Sequence, residues 1–323
     1  MCYSGQNQEI DMKEKVIRGV LRHKFNAWVK SIDDEPTRTL AKNGTIITGG
    51  AIASMLLNEE INDFDLYFKD QETALAITQY YVRKFQDENA STSFDNSVRS
   101  SDVGLFVKAD DGGRIRIVVK SAGIINADGQ DNYEYFESQT LSDPDRIEDY
   151  VESAASVLRV DQRAQKEGLK YHPILMTSNA ISLTDKVQLI IRFYGDADEI
   201  HKNFDFVHCT NWWQSWDNAL HINKEALLAL MNRDLTYQGS LYPICSLFRI
   251  RKFIQRGWTI NAGQILKMAW QVSKLDLEDP TVLEDQLVGV DSAYFLEIIR
   301  ALKRENPDRV DHAYLMQLID KIF

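Results

Sequence analysis

A chain of 323 residues, 44% hydrophobic and 10% aromatic, carries enough apolar side chain to bury a substantial core and to divide into two domains. Its formal net charge of -11 excludes a protein that gathers polyanions by its overall field, so any nucleic-acid binding has to rest on a local basic patch. Three cysteines, Cys2, Cys209 and Cys245, lack the paired spacing of a disulfide framework or a zinc cluster and suit a reducing compartment.

The N-terminal stretch is polar, without an apolar signal core, and no run of about 18 apolar residues follows, so a cytoplasmic protein without a membrane contact is expected. Between Met12 and Ile32, Val16, Val20, Leu21, Phe25 and Val29 recur at helical spacing and predict an amphipathic opening helix. Thr45–Thr48 reads as a buried strand, Ala51–Leu57 as a helix, Phe64–Phe68 as a strand and Gln71–Phe85 as a helix. The Asn/Ser-rich stretch 88–101 reads as a loop, and 105–108 with 115–120 as a hairpin around Asp110–Gly113. A helix is expected at 146–158, with weak patterning through Lys170. Val187–Phe193 and Phe204–Cys209 then read as strands flanking a short helix at 196–202. Beyond Trp216 the period is helical, at 224–232, 243–256, 262–272 and 292–304. The expected fold class is therefore α+β, a mixed sheet with flanking helices followed by an α-helical C-terminal domain. The expected boundaries are 1–216, with an insertion at about 88–180, and 217–323.

Chemistry concentrates between Thr45 and Phe68. Gly49 and Gly50 close a strand and open a helix, where backbone amides approach a phosphate without a side chain in the way. A tight turn that merely needs glycine is the bland alternative. Asp63 and Asp65 stand one residue apart beside Phe64, Leu66 and Phe68, and residues at i and i+2 of a strand share a face. Two carboxylates aimed into one space repel unless a cation lies between them. A divalent ion held with substrate phosphates is one answer, and a solvated pair at a strand end is the other.

The glycine pair, the helix carrying Met55, Leu56 and Leu57, and the run Asp63-Phe64-Asp65-Leu66 together resemble the nucleotidyltransferase signature of the DNA polymerase β-like superfamily. Their spacing is most similar to the branch of tRNA CCA-adding enzymes and poly(A) polymerases. The stretch from Val187 through Glu199-Ile200-His201 to Phe204-Asp205-Phe206 resembles divergent members, including some encoded by viruses and phages. The chain departs from the CCA-adding pattern after the glycines, where Ile52, Ala53 and Ser54 replace an arginine and an aspartate.

The resemblance implies a nucleotidyltransferase-type sheet and a third carboxylate on a later strand beside the first two. Asp205 is the candidate, with Asp102 its rival. It further implies Mg²⁺ or Mn²⁺ held by Asp63, Asp65 and Asp205, an NTP substrate placed by Gly49 and Gly50 with Ser54 as helper, and transfer of a nucleoside monophosphate to a hydroxyl with loss of pyrophosphate. A tRNA or other RNA end, a protein or a small molecule could be the acceptor. Arg249, Lys252 and Arg256 share a helix face that is either solvated or contacts phosphate or acceptor. Trp212, Trp213 and Trp216 read as packing residues before base-stacking ones, and His201, His208 and Cys209 as structural. The rival to an enzyme is a nucleotidyltransferase-fold module that binds a nucleotide or partner without turnover.

Overall fold

The computed structural model describes residues 4–90, 103–109, 113–121, 170–176, 179–277, 282 and 286. The opening helix α1 spans Ser4–Lys30, and α2, Glu35–Gly44, follows with Asp34 as N-cap, its carboxylate accepting from the Thr37 amide at 2.9 Å. Then come β1 (Thr45–Thr48), α3 (Gly50–Leu57), β2 (Phe64–Phe68) and α4 (Gln71–Ala90). The hairpin forms as expected, from β3 (Val103–Ala109) and β4 (Ile115–Ser121). The expected helices at 146–158 and 292–304 lie outside the described residues, as do Asp102 and the Asp110–Gly112 part of the turn.

β5 (Pro173–Met176), β6 (Ala180–Leu183), β7 (Val187–Tyr194), α5 (Ala197–His201), β8 (Trp212–Gln214) and β9 (Leu220–His221) complete the sheet region. The seven strands run in the order β5-β6-β7-β2-β1-β8-β9. Only the β2–β7 pairing is parallel, so the sheet is mixed, as expected. The β8–β9 pair carries the sheet past Trp216. Among the described residues three helices follow, α6 (Lys224–Asn232), α7 (Pro243–Gln255) and α8 (Ala262–Val272).

Alternation sorts the strands onto two unlike faces. Ile47, Phe64, Leu66, Phe68, Leu189, Ile181 and Trp213 point to one side, into a core with Leu21, Phe25 and Trp28 of α1 and Ile77 and Tyr81 of α4. Among the described residues the opposite side holds the buried cluster of Ile46, Tyr67 and Ile200, with Ile190, Phe204 and Trp212 packed against it, and beside it Asp65. A second core joins Ala53 of α3 and Phe206 to Leu230, Leu235, Tyr237, Trp258 and Met268, binding the helical region to the sheet region through α3.

One strand expectation is corrected. Phe204–Cys209 is not a strand: Asp205 lies in a bend, Phe206 makes an isolated bridge to Tyr237, and Val207–Cys209 is a 3₁₀ turn. The alternation Phe204-Asp205-Phe206-Val207 mimics a strand, but the Phe204 amide donates to the His201 carbonyl and the Val207 amide to that of Thr236. Those bonds tie the segment to α5 and to the helical region.

Candidate nucleotide site

The site forms where β1 ends. Antiparallel register sets Thr48 opposite Asp65, which brings the turn after β1 against the Asp65 carboxylate. Gly49 has φ +96°, and a Cβ there would stand 3.0 Å from Asp65 Oδ2, so both backbone conformation and space demand glycine. Its amide is already committed, donating to the Cys209 carbonyl at 3.1 Å. Gly50 is exposed with open space at its Cβ position, and Gly49 supplies no side-chain cap to α3. The first-turn amides of α3 thus face the site without a capping side chain. Ser54 is buried one turn further along, with its carbonyl accepting from the Glu59 amide.

Asp63 is exposed, immediately before β2, and Asp65 is partly buried within it. Burial and then the neighbouring Asp63 charge push the Asp65 carboxyl up to about 7, against a smaller opposing pull from Arg249. Among the described residues nothing donates a hydrogen bond to Asp65. A shielded carboxylate facing a second carboxylate and lacking a donor fits a cation. Asp63 and Asp65 are the residues that could hold such a cation, with phosphate oxygens needed to complete its shell.

The third acid differs from what the family pattern implies. The strand beside β2 is β7, and the residue paired with Asp65 is Gln188, an amide. Asp205 arrives instead from its bend, with its side chain only 6% exposed, and is ion-paired to Arg249 of α7. Burial opposes the Arg249 charge, but the Asp205 carboxylate together with Cys245 and Cys209 holds the guanidinium pKa above its ordinary value. Among the described residues, no group of three or more His, Cys, Asp or Glu is arranged to hold a metal ion. The pair Asp63/Asp65 is brought together, whereas Asp205 is neutralised by an internal cation.

The basic face of α7 is divided in the same way. Arg256 pairs with Glu59, which also pairs with Arg233 at 2.8 Å, while Lys252 is exposed. Cys209, beside both acids, has its thiol pushed up to about 12 by burial and then by Asp65 and Asp205, so it stays protonated. His201 is buried and drops to about 4; its Nε2 lies 2.8 Å from Thr48 Oγ1, which itself donates to the Asn211 carbonyl at 2.9 Å. His208 is held down at about 3 by burial and packs among Phe206, Phe253 and Trp258. Trp213 is core, tilted against Phe25 at 5.2 Å; Trp212 stacks on His221 at 4.6 Å; and Trp216 remains 43% exposed.

Sequence reasoning missed Gln188 and the adjoining cleft. The cleft is lined by Asp63, Ile174, Ser182, Thr184, Asp185, Lys186 and Gln188, among others. Only register could have revealed it, because Gln188 stands next to Asp65 through a pairing of strands far apart in sequence.

The fold and site thus define an α+β protein whose mixed sheet presents an acid pair beside an uncapped helix N-terminus. A family model described as Gabija anti-defense 2 family protein matches residues 19–233, and the chain belongs to that family. The curated protein Gabija anti-defense 2 of Bacillus phage SPbetaL7 is 20% identical over 293 residues, covering 90% of this chain and 51% of that protein. The chain therefore spans about half the length of that relative. Among solved structures, the Thermotoga maritima CCA-adding enzyme complexed with tRNA is similar over 92% of this chain and 68% of its own, at 10% identity and a TM-score of 0.38. No described helix is long and apolar enough to cross a membrane.

Proposed function

We propose that this chain is a metal-dependent nucleotidyltransferase acting against the defence for which its family is named. The observation that carries the reading is the Asp63/Asp65 pair beside the uncapped first turn of α3, where Gly49 can be nothing larger. Gly50 and the amides after it receive the anionic phosphates, and Asp65 and Asp63 face the positive charge that accompanies them. When bound, Mg²⁺ or Mn²⁺ supplies charge neutralisation and a template for the triphosphate. An acceptor hydroxyl oxygen forms the new bond to the α-phosphorus, the bond from that phosphorus to the bridging oxygen breaks, and pyrophosphate leaves. The hydroxyl proton passes to water on the exposed side at Asp63. Lys252, exposed on α7, is the basic residue of its helix face best placed to meet anionic substrate.

A second reading, nucleotide binding without turnover, is favoured by Gln188 opposite Asp65 and by the Arg249–Asp205 pair. One experiment separates the two: the pure protein with α-labelled NTPs, Mg²⁺ or Mn²⁺, and total RNA or protein. Transfer of label, lowered by at least about 100-fold in Asp63→Ala, supports the enzyme. Nucleotide binding that depends on Asp63 with no transfer to any acceptor leaves the binding module.

A further inference from the structure

Building on the transferase reading, we propose that the cleft beside Asp63 receives the acceptor, and that the acceptor is a hydroxyl-bearing segment of polypeptide. Position is the first argument. The uncapped end of α3 lies on the β1 side of Asp65, while Gln188 of β7 and Ser182 of β6 lie on its other side. Asp65, Gln188 and Ser182 are consecutive register partners, so their side chains share the face of the sheet opposite the main core, at strand spacings of about 4.8 Å. In-line displacement needs the entering hydroxyl and departing pyrophosphate on opposite sides of the phosphorus. With the triphosphate at α3, the row through Gln188 and Ser182 is the opposite side.

The cleft wall is fixed in place. The turn between β6 and β7 holds both Asp185 (φ 63°) and Lys186 (φ 57°) in the left-handed region without glycine. Lys186 Nζ donates to the Ile61 carbonyl at 2.8 Å and pairs with Glu60 at 3.0 Å, Lys24 donates to the Asp185 carbonyl, and the Thr184 amide donates to the His172 carbonyl at 2.8 Å. In contrast, neither Ser182 nor Gln188 makes a side-chain hydrogen bond among the described residues, although both line the cleft. A rigid wall with a hydroxyl and a primary amide left over presents a donor and acceptor to a ligand.

Charge selects the ligand. The lining holds two carboxylates, Asp63 and Asp185, and one cation, Lys186, already engaged by Glu60. Phosphodiester backbones need cations along their track, and the single lysine lining this cleft is paired with Glu60 and outnumbered by two carboxylates. A neutral extended peptide needs hydrogen-bonding amides and apolar contact, which Gln188, Ser182 and Ile174 provide.

The test offers labelled ATP with Mg²⁺ to the full chain, together with either a short neutral peptide containing serine, threonine and tyrosine or an RNA oligonucleotide with a free 3′ hydroxyl. The expected result is label on the peptide. Gln188→Ala and Ser182→Ala each raise the peptide KM about fivefold, with the nucleotide KM within about twofold of the parent. Thermal unfolding confirms that both variants fold. Label on the RNA end, or peptide KM values unmoved in both variants, overturns this assignment and leaves the transferase intact. Nucleotide binding with neither acceptor labelled overturns the transferase reading and this assignment with it.

Discussion

Gly49 and Gly50 are adjacent and chemically identical, yet the structure asks different things of them. An alanine at Gly49 would combine φ +96° with a Cβ 3.0 Å from a carboxylate oxygen, whereas one at Gly50 enters open space in the first turn of a helix. Left-handed strain and a steric conflict together cost about 1–3 kcal/mol, and a substitution in open space stays within about 0.5 kcal/mol. Urea unfolding of Gly49→Ala and Gly50→Ala should therefore differ by that margin, with Gly49→Ala the less stable. Equal stabilities would mean that the turn is not held as described.

His208 supplies the pH dependence at the same scale. Burial lowers its pKa to about 3, against an ordinary 6.5, so the folded protein keeps it neutral while the unfolded chain takes up a proton. A depressed folded pKa gives stability that is present above about 6.5 and is lost as pH falls toward 3, at up to about 1.4 kcal/mol per pH unit. His201, lowered to about 4, adds in the same direction. His208 Nδ1 has no hydrogen-bond partner among the described residues, so phenylalanine removes the titration while keeping the ring among Phe253 and Trp258. His208→Phe should flatten the fall in urea stability between pH 6 and pH 4. A parallel fall in both proteins would assign the acid sensitivity elsewhere.

At the scale of elements, α7 meets the sheet region through charge as well as apolar packing. Arg249 neutralises Asp205, and Arg256 and Arg233 converge on Glu59 after α3. Removing Arg249 leaves a nearly buried carboxylate without its cation; because the guanidinium is 46% exposed, water offsets part of the loss. Arg249→Ala should cost about 1–2 kcal/mol, and adding Asp205→Asn should recover most of it. A double-mutant cycle in urea checks this, and additive losses would show that the pair does not couple.

What the sequence disclosed at this scale follows from range. β1, α3 and β2 were legible because an apolar run, a glycine pair and alternation are local signals. So were β7, the β3–β4 hairpin and the three C-terminal helices. α2 was missed because its lysine, arginine and threonines leave few apolar repeats in ten residues, and β5 and β6 because four-residue strands give alternation little length and these two lack the glycine pair that marks the end of β1. The segment 204–209 carried a true strand pattern overruled by tertiary hydrogen bonds, and Asp205 lost its strand with it. The acid pair was readable for the same local reason as β2. Its surroundings were not, since Gln188 beside Asp65 and Arg249 on Asp205 are products of pairing and packing across long stretches of chain.

For the molecule as a whole, α3 is the element whose fate both cores share. Its Ala51 and Ile52 pack beneath the sheet, while Ala53 packs with Phe206, Leu230 and Trp258 of the helical side. A nucleotide bound at the first turn of α3 therefore restrains a helix that packs into both cores, and binding should stabilise both in a single transition. At a concentration about 100 times Kd, a ligand selective for the folded state adds about 2.7 kcal/mol, which in a protein of this size raises Tm by about 4 °C. Mg²⁺ with ATP should produce that shift in calorimetry, and neither alone should match it, because triphosphate and carboxylates repel until a cation lies between them. Asp63→Ala, which removes an exposed side chain and little packing, should keep the parent Tm without ligand and lose the shift. A wild-type Tm indifferent to Mg²⁺ and every NTP, or a shift confined to one of two separate transitions, would falsify the joint placement of nucleotide and cation at α3.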